Sequence, residues 1–284
     1  MTPNTMFKSL FIGILSFISL TGFSQKIDFF PQQNLWKTLS LDPIAGQSFV
    51  QMLNAWEGSK PTDYINAGFS FGFQKSIIIW NISENNKIDI GMEGGAITQF
   101  EWSMKDGYLQ TDYMSTDFII GMPVVWQMKN LQLRFRLYHL SSHMGDDYIF
   151  RDSITSYYRN NNTYEQLDLT AAYLYENFRF ILGVGTVLSS SAPRKPLVFN
   201  WGLDYLLPLN KKETLNYYAG FYANSKQDNN YIPAINLGLG LKIGSYDRRG
   251  AKLLITYFNG PLPYSVFSGE MVQWLGIAVY INPF

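Results

Sequence analysis

The stretch LQLRFRLYHLSSHMGDDY, residues 131–148, decides how the rest of the chain is read. Leu131, Leu133, Phe135 and Leu137 occupy every second position, and Gln132, Arg134 and Arg136 fill the positions between. Successive side chains of a strand point to opposite faces, so this is a strand between an apolar and a polar medium. Continued without a break, the apolar face next reads His139, Ser141 and His143. The chain has two histidines, and here they flank a serine on one face.

The same alternation recurs on both sides of this stretch. Ile65, Ala67, Phe69, Phe71 and Phe73 oppose Asn66, Gly68, Ser70, Gly72 and Gln74. Ile88, Ile90, Met92 and Ala96 oppose Asp89, Gly91, Glu93 and Gly95, and acidic groups on that second face need water or partners. That face is expected to look into a wet lumen. Further strands read at 109–128, 131–145, 165–175, 178–189, 197–207, 214–223, 232–244, 251–259 and 271–281, with a weaker one at 47–56 after a turn at Leu41, Asp42 and Pro43. The count is twelve, the even number that a single-chain bacterial barrel takes. Their lengths suit strands tilted across an outer membrane, which need about 9 to 11 residues.

The linkers support this count independently, because such barrels alternate short periplasmic turns with longer outer loops. Tight turns with Asn, Asp or Gly chemistry are expected at 84–86, 129–130, 176–177, 210–212 and 247–250. Longer links fall between them at 104–107, 146–164, 190–196, 225–231 and 260–270. The predicted fold is all-β: a single antiparallel transmembrane β-barrel of about twelve strands over residues 25–284, with 25–45 an N-terminal periplasmic segment. Arg134 and Arg136 then face the lumen beside acidic partners such as Asp89, Glu93, Glu101 or Asp168, as either a salt-bridged interior or a narrow pore. The terminal Phe284 resembles the aromatic end by which outer-membrane barrels are recognised for assembly.

Composition agrees. With 17% aromatic and only 15% charged residues, the chain departs from an ordinary soluble surface and suits a wall with one face in lipid. A net charge of zero gives no reason to expect nucleic acid as a partner. Residues 1–24 read as an export signal, with Lys8 as the positive flank, an apolar run from Leu10 to Leu20 and cleavage before Gln25. The expected location is the outer membrane of a Gram-negative cell, with membrane lipids and other outer-membrane proteins as partners. The chain has no cysteine, which excludes a lipidated cysteine, disulfides and a thiolate metal site.

The cluster on the 131–145 strand admits chemistry. A histidine and a serine on a lipid face are costly unless partnered, since an unbonded polar group in hydrocarbon costs roughly 2–7 kcal/mol. One reading is an acyl-ester hydrolase with Ser141 as nucleophile, His139 as general base and Glu165 orienting the imidazole from the adjacent strand. Another is a plain polar rim at headgroup level in a barrel with a structural, binding or partner-assembly role. A third places hard oxygen ligands for calcium at Asp146 and Asp147 in the following loop, without the 12-residue EF-hand pattern. No nucleotide motif is present, as the Gly-x-Gly pairs lie within strands.

Two resemblances extend these readings. His139-Leu140-Ser141 resembles the His-x-Ser arrangement of outer-membrane phospholipase A, a twelve-stranded barrel, and of the barrel lipid A deacylase. The first resemblance implies an asparagine as third member and a calcium-assisted oxyanion site; the second implies a glutamate, closer to Glu165. More broadly, the Leu41-Asp42-Pro43 turn and the RLYHLSSHMGDDY segment resemble a family of bacterial outer-membrane barrels classed as a domain of unknown function. That family implies a fold and no activity.

Overall fold

A computed structural model describes residues 26–57, 60–154, 162–244 and 250–282. The expected export signal and the terminal Phe284 lie outside the described residues. A four-residue strand, β1 (Lys26–Phe29), precedes the barrel. The wall follows in order: β2 (Ser48–Glu57), β3 (Lys60–Ser83), β4 (Asn86–Lys105), β5 (Tyr108–Met128), β6 (Leu131–Met144), β7 (Asn162–Tyr175), β8 (Phe178–Ser190), β9 (Leu197–Pro208), β10 (Leu215–Lys226), β11 (Pro233–Ile243), β12 (Gly250–Pro261) and β13 (Met271–Asn282). Each strand pairs antiparallel with its sequence neighbour, and β13 pairs back onto β2, so the twelve strands β2 to β13 close. Closure leaves the wall without a free sheet edge. The short β1 pairs with residues 78–81 of β3, continuing the sheet position below β2.

Alternation sets the two faces. On β6, Gln132, Arg134, Arg136, Tyr138, Leu140 and Ser142 are buried inside, and Leu131 through His143 at odd numbers lie on the exterior. Apolar exterior residues recur around the wall, among them Ile120, Phe135, Leu182, Leu239 and Ile255. The core of this molecule is therefore the barrel interior.

Two expectations need correcting. Of the described part of the expected periplasmic segment, β1 stays at the short-turn end, but the segment 31–47 runs into the lumen and fills it. Trp36, Leu39 and Leu41 are buried among Phe49, Leu53, Tyr218, Leu254 and Phe258, while Ile44 packs on Ile119, Tyr138, Leu140 and Tyr164. Lumenal side chains bind its backbone: Gln132 Nε2 donates to Leu35 O at 2.9 Å, Arg136 Nη2 to Ile44 O at 2.9 Å, Asn236 Nδ2 to Leu41 O at 2.9 Å, and Arg179 Nη1 to Lys37 O. The physical reason is mutual need. Apolar side chains of the segment require burial, and buried donors on the wall require acceptors. The Leu41-Asp42-Pro43 turn is present, with Asp42 N bonded to Leu39 O and Ala45 N to Asp42 O.

The second correction concerns the link at 104–107. It is a two-residue turn at Asp106 and Gly107, both with positive φ (52° and 81°), closing a ladder that continues to Lys105 and Tyr108. Paired positive φ matches the twist of the flanking strands, so β4 and β5 continue into one another as a hairpin instead of ending in a loop. The loop after β6 instead contains the one-and-a-half-turn helix α1 (Asp146–Arg151). The polar interior is of the closed kind: Arg136 pairs with Glu93 and lies 3.8 Å from Asp168, with its guanidinium 4.3 Å from the Tyr138 ring centroid.

Candidate functional site

Register brings the expected residues together on three strands. In β5–β6, Ile120 lies opposite His139 and Phe118 opposite Ser141; in β6–β7, Glu165 lies opposite His139 and Thr163 opposite Ser141. Directly opposed side chains on one face have Cβ atoms about 4.5–5.5 Å apart, close enough for such pairs to bond. His139 Nδ1 and Glu165 Oε1 are 2.9 Å apart, each side chain 42% exposed. A bulge between Glu165 and Gln166 in the β7–β8 ladder leaves Leu188 unpaired and sets Ser189 opposite Glu165. Bulges of this kind re-aim side chains and are common beside functional sites.

Ser141 does not bond His139. Its Oγ lies 3.0 Å from His143 Nε2 and 3.3 Å from Thr163 Oγ1. The His143 ring stands edge-on to Phe118, with centroids 5.7 Å apart at 70°. The face thus carries two polar pairs, His139 with Glu165 and Ser141 with His143, beside exposed Phe118, Ile120, Met122, Phe135 and Leu137. Parity in the sequence placed all three histidine and serine side chains in one row; it could not say which histidine the serine hydroxyl would choose.

The aspartates of the following loop do different work. Asp146 and Asp147 form the first turn of α1, where negative charge suits the helix N-terminus. Asp147 Oδ2 accepts a hydrogen bond from Tyr113 N at 2.8 Å, tying the loop to β5. Arg151 at the other end of α1 bonds Glu101 at 2.6 Å and Asp112 at 3.1 Å. Among the described residues no three histidine, aspartate or glutamate side chains gather as a metal-binding group.

A closed twelve-stranded antiparallel wall with an apolar exterior defines an outer-membrane-type β-barrel. Solved barrels of that type superpose on it. Outer membrane phospholipase A from Escherichia coli matches with a TM-score of 0.55 at 10% identity, over 88% of this chain and 93% of that chain. The Salmonella typhi outer membrane phospholipase dimer with bound calcium matches with a TM-score of 0.56 at 9% identity, over 89% of this chain and 94% of that chain. At such identities the likeness is one of fold. No curated protein matches the sequence. The chain belongs to the family described as protein of unknown function (DUF1207), whose model covers residues 24–282.

Proposed function

We propose that this chain is an integral outer-membrane protein of a Gram-negative cell, exported by a signal over residues 1–24, and that the exterior of β5, β6 and β7 hydrolyses acyl esters of membrane lipid. The observation that carries this reading is the Ser141 hydroxyl 3.0 Å from His143 Nε2, beside the 2.9 Å pair of His139 and Glu165, on a face that also exposes apolar side chains. Ionisable groups and a hydroxyl on an apolar exterior need a reason, and an imidazole within hydrogen-bond reach of a hydroxyl, beside a second imidazole paired with a carboxylate, is a hydrolase arrangement. The fold shared with two outer membrane phospholipases adds support for lipid as the substrate class.

In the reaction, Ser141 Oγ attacks the acyl carbonyl as an imidazole takes its proton. The ester C–O bond breaks, and the departing alcohol oxygen takes that proton back. Water then releases the acyl group by the same route in reverse. The substrate's chains have an apolar bed along Leu137, Ile120, Met122 and Phe135.

The test is acyl release from phospholipid and from lipid A by the refolded protein in detergent, with calcium or with chelator. Ser141→Ala is expected to lose roughly 1,000-fold or more of the rate while folding normally, by analogy with removal of other serine nucleophiles. Wild type and Ser141→Ala equally inert on both lipids would leave a barrel with a structural, binding or partner-assembly role, in which the cluster is a rim.

A further inference from the structure

We propose that His143 is the base that takes the Ser141 proton, and that His139, committed to Glu165, serves the ester on the other side of the nucleophile. This rests on the hydrolase reading and departs from a His-x-Ser arrangement, because here the serine lies between histidines two residues before and two after it. Residues two apart on a strand share a face, so both imidazoles reach the same side of the wall.

They are not equivalent. His143 Nε2 lies 3.0 Å from Ser141 Oγ, within hydrogen-bond reach of the proton it would take. With the serine O–H donating, Nε2 is the accepting nitrogen and the ring proton is on Nδ1. Phe118 packs edge-on against this ring and limits its rotation. Thr163 Oγ1, 3.3 Å from the serine oxygen, holds the hydroxyl from the strand opposite. His139 has its Nδ1 on Glu165 and no bond to Ser141, which leaves its Nε2 for the substrate.

The protons balance. The Ser141 hydroxyl proton passes to His143 Nε2 as the Oγ–carbon bond forms, and from there to the leaving alkoxide as the ester C–O bond breaks. In the second half His143 takes a proton from water as it attacks the acyl carbon, then returns it to Ser141 Oγ as that ester bond breaks.

The experiment uses a fluorophosphonate probe on the full chain refolded in detergent, read by mass spectrometry of the Ser141 peptide, beside acyl release from phospholipid. In labelling, an Oγ–phosphorus bond forms, the phosphorus–fluorine bond breaks and the hydroxyl proton goes to the base, so the readout reports activation of the serine without a lipid substrate. Wild type is expected to label at Ser141, and Ser141→Ala to remain blank. His143→Gln and His143→Asn are expected to slow labelling about 100-fold or more, the low end for general-base catalysis. His139→Gln is expected to slow labelling by less than either, while reducing acyl release from lipid. Unchanged migration of unboiled protein on a gel confirms that each variant is folded.

The reverse order, with labelling lost in His139→Gln and kept in His143→Gln, overturns the inference and leaves the hydrolase reading in place. Absence of both labelling and acyl release in wild type overturns the two together.

Discussion

Arg136 shows how one side chain ties three parts of the molecule together. It meets Glu93 of β4, approaches Asp168 of β7 and donates to Ile44 O of the lumenal segment, all while fully buried. Breaking a buried ion pair by removing one partner costs about 3–5 kcal/mol, because the other charge stays behind unpaired. Arg136→Met is therefore expected to lower the unfolding midpoint in detergent sharply, and Glu93→Gln in the same chain to restore much of it. The lumenal position of Arg136 and a partnership with Glu93 or Asp168 were legible from parity alone, and so was the meeting of His139 with Glu165. The bond from Ser141 to His143 was not, since both histidines share the serine's face and only side-chain rotation separates the choices.

At the level of elements, α1 and the loop between β12 and β13 form an acidic cap at the long-loop end. Arg151 lies among Glu101, Asp112 and Asp152, and Tyr148 packs edge-on against Phe267 of that loop. Burial, followed by Glu101 and Asp152 nearby, raises the carboxyl of Glu270 above its ordinary value. A raised acid holds its proton more tightly in the folded chain. Its contribution is therefore unpenalised at low pH, and stability is lost as pH rises from the ordinary glutamate value through the raised one. Hydrogen exchange of residues 262–270 is expected to quicken across that window in wild type and to lose this step in Glu270→Gln; equal profiles would contradict it. The alternating pattern located nearly every strand, yet it missed α1, which lies within the 146–164 link. It also set the ends of β3 and β4 too short, because ladder pairing persists where binary patterning fades at the rim.

The whole molecule is a filled cylinder. Trp36, Leu39 and Leu41 take up the centre, Arg134 stacks 4.4 Å from the Trp36 ring, and a cavity of about 30 Å³ beside Asp42, Tyr222, Asn224 and Lys226 has room for about two waters. The protein is expected to give no discrete conductance steps in a planar bilayer, and steady stepwise current in wild type would contradict the filled lumen. The filling was hidden from sequence reading because the segment follows no period. Its apolar residues at 36, 39 and 41 fit neither a strand nor a helix face, and their meaning emerges only from the donors waiting on the wall.

The segment is also tied at both ends: β1 joins it to β3 through four residue pairs, and Ser48 carries it into the first strand of the closed wall. Among the described residues both its ends are joined to the wall, so it behaves as a strap across the lumen. Because the strap runs directly into β2, the strand on which the last strand closes, the filling of the lumen and the seam of the wall are built from one continuous stretch of chain.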